Sequence, residues 1–199
     1  MKYGPDQFDQ IPRGHYRVIY ADPPTKFSAG PNQNPSRHYP TMRLKDIADM
    51  PIGDLAHPEG CRLLLWTTPP LLLHKNGPIL FLKAWGFKYS TVRTWGKFYP
   101  RESGMFVYHD SISRGSGYES SGDAEFLIIA KRGRPQRIDG GKPRGLFMSA
   151  RREHSRKPDF LRDQICDLFE GPRIELFGRS EHPGFDVFGN EVDKFQEAA

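Results

Sequence analysis

The stretch VIYADPPTKF, Val18 to Phe27, sets an apolar run directly against an acid, two prolines and a threonine. If VIYAD, Val18 to Asp22, forms a sheet strand, Asp22 stands at its carboxyl end, where open α/β sheets bind their ligands. Pro23 and Pro24 have fixed φ and no N–H, so neither extends a central ladder, and the residue before each proline is held extended. Their carbonyls become fixed acceptors. An acid beside a rigid carbonyl can take both hydrogens of an amino group and aim the nitrogen lone pair at an electrophile without a strong base. A Pro-Pro turn with Asp22 capping the following segment accounts for the tetrapeptide equally well.

The remaining pattern alternates. Strand-length apolar runs occur at Tyr16–Tyr20, Arg62–Trp66, Tyr89–Trp95, Glu125–Ala130 and Arg173–Phe177. Several are continuous enough to imply burial on both faces. Helical periodicity covers Leu44–Met50, a segment from about Pro70 to Trp85 closed by Gly86, and Pro158–Phe169 closed by Gly171, with Ser155 and Pro158 suiting its start. In that last segment Phe160, Leu161, Ile165, Leu168 and Phe169 share a face, with Arg162, Asp163 and Asp167 mostly off it. Strands alternating with helices predict an α/β fold with a largely parallel, twisted sheet and helices on both faces. Residues 25–39 and 99–122 lack a period and are rich in turn formers, as flexible active-site or substrate-binding loops are.

With 199 residues, 37% of them apolar, the chain suits one domain over 1–199. It contains no apolar run approaching the roughly 20 residues that cross a bilayer, and a polar start, so a soluble cytoplasmic protein without a membrane partner is expected. Cys61 and Cys166 are far apart and lack a ligand pattern, as expected of thiols in a reducing compartment. The seven histidines form no spaced pair with another His or a Cys, so no metal site is expected. Net charge is +5, and from Lys131 to Lys157 ten Lys/Arg stand against Asp139 and Glu153. That cluster suits either a phosphate-facing surface or a solvated loop.

Seven ordered segments narrow the reading: YRVIYADPP, HYPTM (38–42), LLLWTTPP (63–70), EFLIIAKRG (125–133), RREHSRKPD (151–159), IELFGR (174–179) and DVFGNEV (186–192). In order and approximate spacing they resemble the MT-A70 family of N(6)-adenine methyltransferases. The resemblance implies a Rossmann-like methyltransferase fold with permuted motif order, the catalytic strand early and the cofactor strand late, and S-adenosylmethionine as donor. It makes Asp22, Pro23, Pro24 and Thr25 the catalytic tetrapeptide. Asp22, Lys157, Phe177, Arg179, Asn190, Glu191 and, more loosely, Asp6 become cofactor residues. Tyr39, Glu125, Trp66, Arg151, Arg152 and His154 become substrate residues. Singly, each cofactor position has an ordinary alternative: Phe177 as core, Arg179 as an ion-pair partner, Asn190 as a turn residue, Glu191 as solvent-exposed. Trp66 suits core packing as well as a pocket wall.

One position departs from the family pattern. The tetrapeptide's aromatic fourth residue is Thr25 here. An aromatic ring stacking on a base is worth roughly 1–3 kcal/mol, so its loss weakens base binding unless Tyr39, Phe27 or Trp66 supplies a face. The resemblance implies methyl transfer to adenine N6 in nucleic acid, DNA favoured over RNA, with the base taken out of its stack. Lys131–Lys157 and the 99–122 loop would hold the flanking backbone. A catalytically silent donor-binding or nucleic-acid-binding subunit is the alternative, and pairing with a second copy or a homologous subunit stays open.

Overall fold

The computed structural model describes residues 5–25, 41–99, 112, 122–138, 140–153 and 156–190. Its elements run, in chain order, α1 (Pro5–Phe8), β1 (Val18–Ala21), α2 (Leu44–Ala48), β2 (Gly60–Thr67), α3 (Pro69–Leu72), α4 (Pro78–Ala84), β3 (Lys88–Phe98), β4 (Ala124–Gly133), β5 (Leu146–Ala150), α5 (Phe160–Leu168), β6 (Arg173–Leu176) and β7 (Asp186–Phe188). The strands form one seven-stranded sheet in the order β5-β3-β4-β2-β1-β6-β7. Only β4 runs antiparallel, against both β2 and β3; the other pairs are parallel. The fold is thus α/β with a mostly parallel sheet, as the alternating pattern predicts.

β1 and β2 are buried along their whole length because parallel neighbours and packed layers cover both faces. Successive side chains point to opposite sides, and each side has its own core. On one side Ile19, Ala21, Leu63, Leu65, Ile128, Ala130, Ile174 and Leu176 pack with Ile47 of α2, Ile52 and Leu55 of a 3-10 turn, and Phe81 of α4. On the other, Val18, Tyr20, Leu64, Trp66, Trp95 and Leu127 pack with Leu161, Ile165 and Leu168 of α5. Burying each such Leu or Ile contributes roughly 1.5–3 kcal/mol, which holds the strand ends in fixed register. Helices therefore lie on both faces.

Several boundaries differ from the sequence pattern. The expected Pro70–Trp85 helix is two short helices, α3 and α4. Pro78 has no N–H to give and disfavours helical geometry at Gly77, so the chain turns, with Gly77 N–H donating to His74 O at 2.8 Å. A Cβ at Gly77 would lie 2.7 Å from the Leu71 carbonyl oxygen, so the turn needs glycine. The last helix begins at Phe160 with Asp159 as its N-cap residue; Ser155 lies outside the described residues. Two of its positions exchange roles: Phe160 is 42% exposed and Arg162 only 7%. Arg162 turns inward because Glu175 of β6 meets its guanidinium with two hydrogen bonds, 2.7 and 2.8 Å long. The start of β3, Lys88–Thr91, is exposed rather than covered on both sides, next to a register shift between Tyr89 and Thr91. β5 and β7 were not expected, their apolar runs being too short to stand out in sequence.

Candidate active site at the carboxyl ends of the strands

Asp22 directly follows β1, and its N–H donates to the Leu176 carbonyl of β6 at 3.4 Å. Alternation puts it on the α5 side of the sheet with Tyr20, two residues earlier. On that same side Trp66 of β2 faces Leu127 of β4, Trp95 of β3 faces Glu125, and Lys97 lies two residues beyond Trp95. Lys157, just before α5, reaches into this row. Its Nζ stands 2.7 Å from Asp22 Oδ2 and 3.1 Å from Glu125 Oε2, while Lys97 Nζ stands 2.5 Å from Glu125 Oε1.

The result is an alternating chain, Asp22–Lys157–Glu125–Lys97, with no net charge. A lone charge at such depth would cost several kcal/mol; alternation with short contacts offsets that cost. Burial alone raises the Glu125 carboxyl, but the Lys157 and Lys97 ammonium groups more than offset this and hold it at about 2. Burial would lower Lys157, yet Asp22 and Glu125 push it above its ordinary value. Two indoles form the floor: Lys157 Nζ lies 5.3 Å from the Trp66 ring centroid and Lys97 Nζ 4.9 Å from that of Trp95. Trp66 is 3% exposed, its indole N–H donating to Tyr20 Oη at 2.7 Å, so it supports the ammonium group and presents no open face to a base.

The proline corner is held by its own backbone. Thr25 N–H donates to Pro23 O and Met42 N–H to Pro24 O, both at 2.8 Å. Each proline carbonyl keeps its second lone pair. Thr25 is also bridged to Met42 in parallel, which pins the backbone at the fourth position of the tetrapeptide.

β1 is the switch point of the topology: the chain leaves it for β2 on one side and returns to its other side with β6. Crevices at such points receive cofactors. Beyond β6, Phe177 is 5% exposed and has φ 65°, the left-handed region that a bulky residue occupies only when its surroundings dictate it. Gly178 and Gly189 cross so closely that a Cβ on Gly189 would overlap the Gly178 carbonyl, and one on Gly178 would lie 2.5 Å from Val187 Cγ1. Arg179 and Asn190 sit half-buried at the ends of this crossing, both engaged in interactions. Phe177 packs into the core on the α2 and α4 side of the sheet, the ordinary role its sequence also allowed.

A family model for MT-A70 matches residues 16–191. The chain belongs to the MT-A70 family of methyltransferases. It is also similar to the type II methyltransferase M.MunI of Mycoplasma sp, 29% identical over 206 residues that span 93% of this chain and 81% of the relative.

Within this MT-A70 domain the site residues expected from sequence divide into groups. Asp22, Pro23, Pro24, Thr25, Lys157 and Glu125 come together, while Phe177 and Arg179 follow β6 and Asn190 follows β7, either side of the Gly178–Gly189 approach. Tyr39, His154 and Glu191, with most of the 25–39 and 99–122 loops, lie outside the described residues, as does the side chain of Asp6 in α1. Arg151 and Arg152 follow β5 at the same sheet end. Arg151 donates to Tyr99 Oη at 3.1 Å, and Arg152 pairs with Asp159.

The expectation that all of Lys131–Lys157 holds the backbone beside the target base needs correction. β4 is antiparallel, so Lys131 and Arg132 stand opposite Arg62 and Cys61, at the sheet end away from Asp22. Lys97, Trp95 and Tyr20 were missed as site residues. Their signal was alternation: each shares a sheet face with Asp22 or Glu125 once the strands are in register. Among the described residues, three buried polar atoms at this same sheet end, Thr68 Oγ1, Trp95 Nε1 and Ser149 Oγ, lack a hydrogen-bond partner. No helix among the described residues is long and apolar enough to cross a membrane, and no group of three metal-ligating side chains occurs among them.

Proposed function

We propose that the domain transfers a methyl group from S-adenosylmethionine to the exocyclic N6 amino group of adenine in nucleic acid, DNA favoured over RNA. The observation that carries this reading is Asp22, which accepts from Lys157 Nζ at 2.7 Å, at the end of β1 beside a proline carbonyl with a lone pair to spare. When bound, the donor supplies an electrophilic sulfonium methyl. Arg179 and Asn190 would hold it, with Asp22 at the boundary between donor and base.

An aromatic amine such as adenine N6 is a weak nucleophile whose lone pair is delocalised into the ring. Asp22 Oδ1 or Oδ2 and the Pro23 carbonyl accept its two hydrogens, which raises electron density on nitrogen and fixes its direction of approach. Because Lys157 occupies one face of the carboxylate, Asp22 acts as a hydrogen-bond acceptor fixed in place rather than as a strong base. The base must leave its stack to reach this corner. A relative that is a type II methyltransferase supports DNA as the substrate class.

A second reading, a catalytically silent subunit, is favoured by Thr25 and by the Thr25 N–H already on the Pro23 carbonyl. Incubation of the purified protein with labelled donor and separate DNA and RNA pools, followed by nucleoside analysis, decides between them. N6-methyladenine formed by the protein alone supports the first reading; donor binding without product in either pool supports the second.

A further inference from the structure

Lys88, Lys131 and Arg62 lie in one transverse row, Lys88 opposite Lys131 and Lys131 opposite Arg62, at the sheet end away from Asp22. Like charges directly opposite each other on neighbouring strands destabilise a sheet. Here the unfavourable pair is extended by its surroundings. Residues 134–138 cross the row, adding the exposed Arg134 and Arg137, and the exposed Lys142 and Arg144 follow before β5. Among the described residues none of Lys88, Lys131, Arg134, Lys142 and Arg144 makes an ion pair, whereas Arg13, Arg17, Arg43, Arg152 and Arg156 each meet a carboxylate.

The crossing segment is firmly fixed. Arg134 N–H donates to Glu59 O at 2.9 Å and Ile138 N–H to Leu168 O at 3.1 Å. Arg62 reaches up to the carbonyls of Gln136 and Pro135 at 3.0 and 3.4 Å while its guanidinium lies 4.2 Å from the Phe169 ring centroid. Close approach is allowed by two glycines: a Cβ on Gly60 would lie 2.5 Å from Arg134 C, and one on Gly133, at φ 64°, 2.5 Å from Glu59 O. So tightly fixed a segment holds Arg134, which makes no ion pair among the described residues, beside Lys88 and Lys131 as one surface.

We propose that this surface is a second nucleic-acid contact, binding the phosphate backbone several nucleotides from the methylated base and setting affinity, not chemistry. The proposal rests on the reading of the substrate as nucleic acid. The row containing Val18, Arg62, Lys131 and Lys88 lies four residues before Asp22 along the strands, about 13 Å, and with Lys131 two and Lys88 three strands across at about 4.8 Å each the two cations stand roughly 16–20 Å from Asp22. That is about five to six nucleotides of stacked strand at roughly 3.4 Å each. A short oligomer filling the Asp22 site therefore misses the surface, and a long one reaches it.

The test uses the full chain and the variant K88E/K131E/R134E, with K88Q/K131Q/R134Q as a gentler second variant. Binding of single strands of about 3 and about 30 nucleotides is followed by fluorescence anisotropy across a salt series. The wild type should favour the long strand. Both variants should lose most of that preference and lower the salt slope by about 2, at about 0.7 per phosphate contact on single strands. Binding of the short strand and the melting temperature should stay unchanged. Equal long-strand affinity and slope in wild type and both variants would overturn the proposal and leave the surface to an acidic protein. Absence of methyl transfer from any pool would instead count against the proposed chemistry, because the binding experiment reads independently of turnover.

Discussion

Asp22 and Lys157, 135 positions apart in the chain, meet at 2.7 Å, and the same ammonium group also serves Glu125. This double use separates the role of Asp22 in chemistry from its role in the fold.

Asp22→Asn should abolish methyl transfer, with kcat falling at least a hundredfold, and leave the protein folded. Lys157 keeps Glu125 as its counter-charge in that variant, so no unpaired buried ammonium is created. Turnover measured beside a thermal melt checks this; retention of more than a tenth of the wild-type kcat would remove Asp22 from the proposed chemistry.

Glu125 should make stability depend on acidity. Its carboxyl is held at about 2, below its ordinary value of 4.5, so its contribution is complete above about pH 4.5 and is lost as pH falls towards 2. Lys157, raised above its ordinary value of 10.5, works in the opposite sense, its contribution being lost only as pH rises beyond that value. Glu125→Gln is therefore expected to melt well below the wild type at pH 7, with the two proteins converging as pH falls through that acid window. Parallel melting curves down to pH 2 would contradict it.

Thr25→Trp should tighten base binding. The backbone at this position is already pinned to Met42 and Pro23, so a larger side chain there does not have to organise the corner. Stacking worth roughly 1–3 kcal/mol corresponds to a KM for nucleic acid about 5 to about 150 times lower. Steady-state kinetics at saturating donor read this, and an unchanged KM would show that the base approaches without contact to this position.

Arg162 and Glu175 should behave as a coupled pair. Removing one partner of a buried, doubly hydrogen-bonded ion pair costs about 3–5 kcal/mol, whereas replacing both by apolar residues is often nearly neutral. Urea denaturation of Arg162→Met, Glu175→Leu and the double variant should show the double variant more stable than either single one. Additive losses would mean that the two side chains are stabilised independently.

The amino-acid sequence by itself determined the class of fold and the place where chemistry starts. Its continuous apolar runs are the signature of parallel strands covered on both faces, and the proline pair ends a strand wherever that strand goes, because fixed φ and the missing N–H are local properties. The ordered motifs carried the family resemblance for the same reason, since each is a short contiguous stretch. Tertiary structure alone decided which charges meet. Lys97, Glu125, Lys157 and Asp22 come from four separate elements, and only strand register and face alternation bring them into one row. The direction of β4 likewise cannot be read from its composition, yet it sends Glu125 to the site and carries Lys131 and Arg132 to the far end of the sheet. Arg162 is polar by sequence and buried in fact because Glu175 waits on the neighbouring strand. Local backbone rules act within a few residues, whereas electrostatic pairing acts across whatever the folded sheet brings within reach.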